Sequence, residues 1–150
     1  MSIFSSFFSD PIPAGEPAPD FTALDQDGGT VSLSAFRGVA NVVLVFYPAD
    51  ETPGCRKQLC EFRDQWTLAQ TRNVLVFGVN PQSASSHQVF RANRNFPFPL
   101  LVDERKQIAS LYRAGGLIIR RTVYLIGKSG LIRFSRRGAP SPEEVFATAE

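Results

Sequence analysis

Two short apolar runs, Val-Val-Leu-Val-Phe at 42–46 and Leu-Val-Phe-Gly-Val at 75–79, constrain this chain more than any other feature. A strand with one wet face shows a polar residue at every second position, whereas a strand covered on both faces has no need of one. Both runs therefore predict central strands with helices on either side. Between them, Cys55, Leu59, Phe62, Trp66 and Ala69 fall within roughly ±40° of one line on a helix over 54–69. Two covered strands joined through a helix make a parallel pair.

The flanking segments complete the sheet. Residues 21–24 and 30–33 flank Asp25-Gln26-Asp27-Gly28-Gly29 and predict a β-hairpin. Ser34-Ala35-Phe36-Arg37-Gly38 reads as one helical turn closed by glycine. Residues 122–126 and 131–134 form a second hairpin around Gly127-Lys128-Ser129-Gly130. Helices are expected at 84–95 and 104–112, the latter with Asp103 as N-cap and Ile108, Leu111 and Tyr112 inward. Ser141-Pro142-Glu143-Glu144 opens a last helix with a capping box and proline at the first helical position. The expected class is α/β: a central mixed sheet flanked by helices, with an N-terminal hairpin. Four prolines between Pro11 and Pro19 predict an extended arm over 1–14 leading into one domain over 15–150.

Bulk properties exclude several functions. A net charge of +2 calls for neither a nucleic acid nor an anionic membrane, and no apolar run approaches the ~20 residues of a bilayer span. The start has no basic region before its apolar residues and carries Asp10 early, unlike a signal peptide. The expected compartment is the cytosol, or an organelle for a trimmed precursor. Two cysteines there would not normally form a structural disulfide.

Their position is informative. Residues 46–60, Phe-Tyr-Pro-Ala-Asp-Glu-Thr-Pro-Gly-Cys-Arg-Lys-Gln-Leu-Cys, follow a buried strand and open a helix, where α/β sheets place their sites. Thr52 suits the N-cap and Pro53 the first helical position, so Cys55 falls at the third. A capping box puts glutamate there, because free N–H groups and the positive helix end favour negative charge. The same field, with Arg56 and Lys57 beside it, favours a thiolate nucleophile.

Cys60 points about 140° away from Cys55, toward the side of Arg56, Lys57, Arg63 and Asp64. Residues five apart in an intact helix have Cα atoms roughly 8.7 Å apart, and a disulfide needs less than about 7 Å. The two can bond only when the first turn or two unwinds. That geometry suits a two-step cycle: Cys55 attacks a peroxide and becomes a sulfenic acid, then Cys60 attacks it to form a disulfide.

Pro48-Ala49-Asp50-Glu51-Thr52-Pro53-Gly54-Cys55 resembles the Pro-x-x-x-Thr-x-x-Cys signature of peroxiredoxins. A second cysteine five residues on resembles the bacterioferritin-comigratory-protein and peroxiredoxin Q group. The similarity extends through Gly-Glu-Pro-Ala-Pro-Asp-Phe at 15–21, residues 31–36, Phe62-Arg63-Asp64, Phe77-Gly78-Val79 and Phe98-Pro99-Leu100-Leu101. The resemblance implies a thioredoxin-like fold, with Cys55 as peroxidatic and Cys60 as resolving cysteine. It implies that Thr52 hydrogen-bonds the bound peroxide, that Pro48 shields the pocket, and that an arginine before a late strand holds the developing charge. Arg121 fits that arginine, with Tyr124 three residues on; Arg120 is the lesser candidate. No metal, haem or flavin is implied. The expected substrates are hydrogen peroxide and alkyl hydroperoxides, the reductant a thioredoxin-like dithiol protein, and the chain a monomer. Two departures stand out: Gln58 where the family often has glutamate, and Gly127 after Ile126 where it often has aspartate.

Other residues point elsewhere less strongly. His87, the one histidine, reads as a surface residue, and two cysteines on opposed helix faces do not complete a metal site. Cys-x-x-Cys and phosphate-binding glycine motifs are absent. Arg120, Arg121, Arg133, Arg136 and Arg137 read as a solvated basic face. A non-enzymatic redox sensor using Cys55 is the competing function class.

Overall fold

The computed structural model describes residues 10–150. Its sheet has seven strands, β1 (Thr22–Asp25), β2 (Thr30–Ser32), β3 (Asn41–Phe46), β4 (Val74–Asn80), β5 (Leu100–Val102), β6 (Thr122–Ile126) and β7 (Ile132–Arg137). Their spatial order is β2-β1-β5-β4-β3-β6-β7. Strands β3, β4 and β5 run parallel, and the remaining pairings are antiparallel. Among the described residues five α-helices flank the sheet: α1 (Pro53–Asp64), α2 (Trp66–Thr71), α3 (Ala84–Arg94), α4 (Gln107–Leu111) and α5 (Pro142–Phe146).

The apolar run of β3 divides between two cores. Val43 and Val45 face the cluster that holds Leu59, Phe62, Phe90 and Phe146, under α1, α3 and α5. Val42, Leu44 and Phe46 face the opposite cluster of Ile12, Phe21, Leu33, Ile108, Tyr112 and Tyr124. The period-two pleat sends alternate side chains to opposite faces, and both faces are apolar because both are covered.

Four details differ from the sequence reading. Strand β5 was not anticipated. It is three residues long and follows Pro97 and Pro99, yet it joins the N-terminal hairpin to the parallel centre. The helix expected over 54–69 breaks at Gln65, and Trp66 then packs on Phe98 with ring centroids 6.1 Å apart. Asp103 does not cap the turn it precedes; its carboxylate reaches past a 3-10 turn to accept from the Ile108 and Ala109 N–H groups, 2.7 and 2.9 Å away. Leu111, expected inward, is 48% exposed, while Ile108 and Tyr112 are buried.

Of the expected arm, residues 1–9 lie outside the described residues. Ile12 is buried and its N–H donates to Tyr124 Oη at 3.0 Å, so the chain joins the core before residue 15. Among the described residues no helix is long and apolar enough to cross a membrane.

Candidate active site

The site forms where β3 ends. Phe46 pairs with Thr122 across the β3–β6 ladder, so the loop leaving β3 and the residue before β6 emerge side by side. The first leads into α1 and Cys55; the second is Arg121. One guanidinium nitrogen, Nη2, donates to Cys55 Sγ at 3.2 Å, and Nη1 donates to Gln58 Oε1 at 3.0 Å. Arg120, the lesser candidate, is exposed, with its backbone N–H on the Ala114 carbonyl.

Gln58 explains its own presence. Its Oε1 receives Arg121, while its Nε2 donates to the Gly138 carbonyl at 3.3 Å. A glutamate would turn a second acceptor toward that carbonyl and lose the contact. Gly54 is equally constrained, since a Cβ there would lie 2.8 Å from Arg121 Nη2. The second departure, Gly127, leaves room that Arg133 and the Glu150 carboxylate fill.

Cys55 is fully buried in the core cluster and is a free thiol. Cys60 is also free, lies in the same unbroken helix α1, and is partly buried against that cluster. It is thus less open than its place on the helix predicts, because α1 packs on Phe146 of α5 as well as on the sheet. Pro48 is half-buried in the loop before α1. Thr52 stands at the N-cap, but its hydroxyl makes no capping bond. It donates instead to the Ala49 carbonyl, 3.1 Å back along the loop.

Behind the loop lies a buried polar network that the sequence reading missed. Asp50 accepts from Tyr47 Oη at 2.6 Å, Asn80 Nδ2 at 3.1 Å and Ser86 Oγ at 2.8 Å, and sits 2.6 Å from His87 Nδ1. His87 is therefore no surface residue: it is wholly buried. The signal was its position three residues before Phe90, on the inward face of α3. Burial pushes the Asp50 carboxyl up, but hydrogen bonds from His87, Tyr47 and Ser86 and the attraction of His87 outweigh burial and hold it below its ordinary value. Burial, then the Asp50 charge and hydrogen bond, push the Tyr47 phenol well above its own.

The basic residues near the end of the chain are engaged separately. Arg133 Nε donates to the Thr148 carbonyl, Arg136 pairs with Glu144 over the Phe134 ring, and Arg137 donates to Thr122 Oγ1.

This arrangement brings a cysteine at a helix start under an arginine fork, with a second cysteine five residues on. The sequence profile of the AhpC/TSA family matches residues 14–135. The chain belongs to that family. Within it, the relatives are peroxiredoxins of the Q and Bcp group. The chloroplastic peroxiredoxin Q of Oryza sativa subsp. japonica is 39% identical over an alignment of 140 residues, and the match covers 89% of this chain and 63% of that one. A bcp-type peroxiredoxin of Coxiella burnetii is 38% identical over 81% of this chain and 85% of its own length. This AhpC/TSA chain thus spans under two thirds of the length of the rice relative and most of the bacterial one. Among solved structures, peroxidoxin BcpB of Mycobacterium tuberculosis superposes with a TM-score of 0.84 at 28% identity, covering 91% of this chain and 96% of that one.

Proposed function

We propose that this family member is a thiol peroxidase that reduces hydrogen peroxide and alkyl hydroperoxides with Cys55. The observation that carries the reading is the Arg121 guanidinium 3.2 Å from Cys55 Sγ. A cation fixed against the sulfur favours the attacking thiolate and meets the charge that develops on the peroxide oxygens. The Cys55 thiolate attacks one peroxide oxygen, the S–O bond forms, the O–O bond breaks, and the alcohol or water leaves once protonated. Thr52 and Pro48 line the approach in this reading. The first turns of α1 then unwind, the Cys60 thiol attacks the sulfenic acid, an S–S bond forms and water departs. A thioredoxin-like dithiol reduces that disulfide and restores the helix. The working unit is one domain that the chain enters by Ile12, acting as a monomer in the cytosol without a metal or flavin.

Stopped-flow fluorescence of Trp66 tests this, since its helix α2 directly follows the helix that holds both cysteines. Reduced protein mixed with hydrogen peroxide should give a first phase linear in peroxide that is lost in Cys55→Ser. A second phase should be lost in Cys60→Ser. Oxidation at the rate of free cysteine, or one turnover only with excess dithiol reductant, would favour the sensor class instead.

A further inference from the structure

The loop from Tyr47 to Thr52 carries the proposed peroxide contacts, and what holds it is the network behind it. Asp50 is its hub, tied to Asn80 at the end of β4 and to Ser86 and His87 in the first turn of α3. The Asp50 N–H also donates to Gln82 Oε1, whose backbone N–H in turn donates to Asn80 Oδ1. The next residue, Glu51, sits in the left-handed region at φ 64°, a conformation that persists in a side-chain-bearing residue only where its surroundings enforce it. Asn93 Nδ2 donates to the Glu51 carboxylate at 2.9 Å, and Arg94 Nε lies 3.5 Å from it. Helix α3 thus grips the loop through two consecutive carboxylates, one at each of its ends.

His87 decides what kind of grip this is. Its Nε2 lies 2.9 Å from the Leu101 carbonyl of β5, an acceptor with no proton to give, so Nε2 must donate. Its Nδ1 faces Asp50 Oδ2, on a carboxylate that already receives Tyr47, Asn80 and Ser86. Three other donors on one carboxyl group favour its anion, which leaves the remaining proton on Nδ1. The titratable groups facing the ring are Asp50 and, behind it, Tyr47.

We propose that His87 is a positioning residue for the peroxidatic loop: its ring carries protons on both nitrogens and bridges Asp50 to the Leu101 carbonyl. This rests on the peroxidase reading for its consequence and on hydrogen-bond geometry for its substance. The imidazolium fixes the loop upstream of Thr52 to β5 and α3. Unwinding of α1 is thereby confined to the residues after Thr52, and the peroxide contacts survive into the next cycle. A neutral ring would leave two acceptors facing one another, at either Asp50 or Leu101, and would loosen the loop.

The first test is nitrogen-15 NMR of the full, reduced chain with labelled histidine near pH 7.5. Because the chain has one histidine, it gives one pair of ring signals. Both nitrogens at protonated shifts support the proposal, and one at an unprotonated shift overturns it. The second test follows Trp66 in His87→Gln and Asp50→Asn. The peroxide-dependent phase should slow by about tenfold or more, as expected when a contact group is misplaced by a fraction of an ångström. The disulfide-forming phase should keep its rate or quicken. An unchanged first phase in a folded variant, or equal slowing of both phases, overturns the positioning role. The nitrogen shifts do not depend on activity, so a failed ion pair and a failed peroxidase reading leave different signatures.

Discussion

Two helices in this molecule begin with almost the same signal and end up chemically opposite. Thr52-Pro53-Gly54-Cys55 starts α1 and Ser141-Pro142-Glu143-Glu144 starts α5. At α5 the Ser141 hydroxyl accepts from the Glu144 N–H at 3.2 Å, and two acidic residues occupy the first turn. At α1 the Thr52 hydroxyl turns away to Ala49, no acidic residue lies in the first turn, and Cys55 stands where α5 has Glu144. A capped, acid-rich start stabilises a helix. An uncapped one leaves N–H groups and positive field directed at whatever sits over it. Here Cys55 occupies that first turn with Arg121 on its sulfur, and a turn without a side-chain cap is held less firmly than a capped one.

Substitutions can break this contrast or sharpen it. The largest effect is expected for Arg121→Met. Removing the donor on Cys55 Sγ should lower the peroxide rate constant by about 10²–10³-fold, the usual loss for a group that stabilises developing charge. Stopped-flow oxidation measures it, and a change under threefold would sink the assignment. Gly54→Ala should act more mildly and in a divided way. Its methyl would displace the flexible end of Arg121, slowing oxidation by roughly tenfold, while alanine's better helix propensity leaves the melting temperature unchanged or raised.

At the other helix, Ser141→Ala should cost about 1 kcal/mol of stability by urea unfolding and leave peroxide oxidation untouched. Thr52→Ala should do the reverse, losing little stability and slowing oxidation. A stability loss at Thr52 as large as at Ser141 would erase the comparison.

The smallest effect concerns the anchor behind α1. Asp50 is held below its ordinary value in the folded chain, so the unfolded chain binds its proton first as acid is added. Its stabilisation is therefore complete above about pH 4 and is lost as pH falls through the folded value. Urea midpoints at pH 7 and pH 3 should differ less in Asp50→Asn than in the parent chain.

The frame of the fold was legible because it rests on periodicity. The runs at 42–46 and 75–79 showed no polar alternation and so read as strands covered on both faces, and Ser141-Pro142-Glu143-Glu144 spelled out its own cap. Strand β5 was hidden because three residues just after two prolines carry no period to read. Of the candidate site, Cys55, Cys60 and Arg121 were singled out from spacing and resemblance, and the Arg121–Cys55 contact joins two of them from far apart in the chain. Asp50 and His87 could not be joined from sequence, since a lone histidine and a loop aspartate look alike whether solvated or paired. Only the packing of α3 against the loop distinguishes the cases. Thr52 shows the converse: propensity correctly predicted where the helix starts, and a competing local hydrogen bond decided what the hydroxyl does.

The two rims of the sheet have a consequence for the life of the molecule in crowded solution. One rim, β2, is three residues long and its hydroxyl-bearing Ser32 is already engaged with Thr22. The other, β7, sets Arg133, Arg136 and Arg137 along its length, and its approach is bridged by Pro17 at Leu131. Neither offers another chain a long, flat, uncharged strand to add to, which is how β-sheet proteins resist fibre growth. A chain proposed to open a helix over its own core in every cycle, baring Leu59 and Phe62 for a moment, is thereby kept from seeding its neighbours.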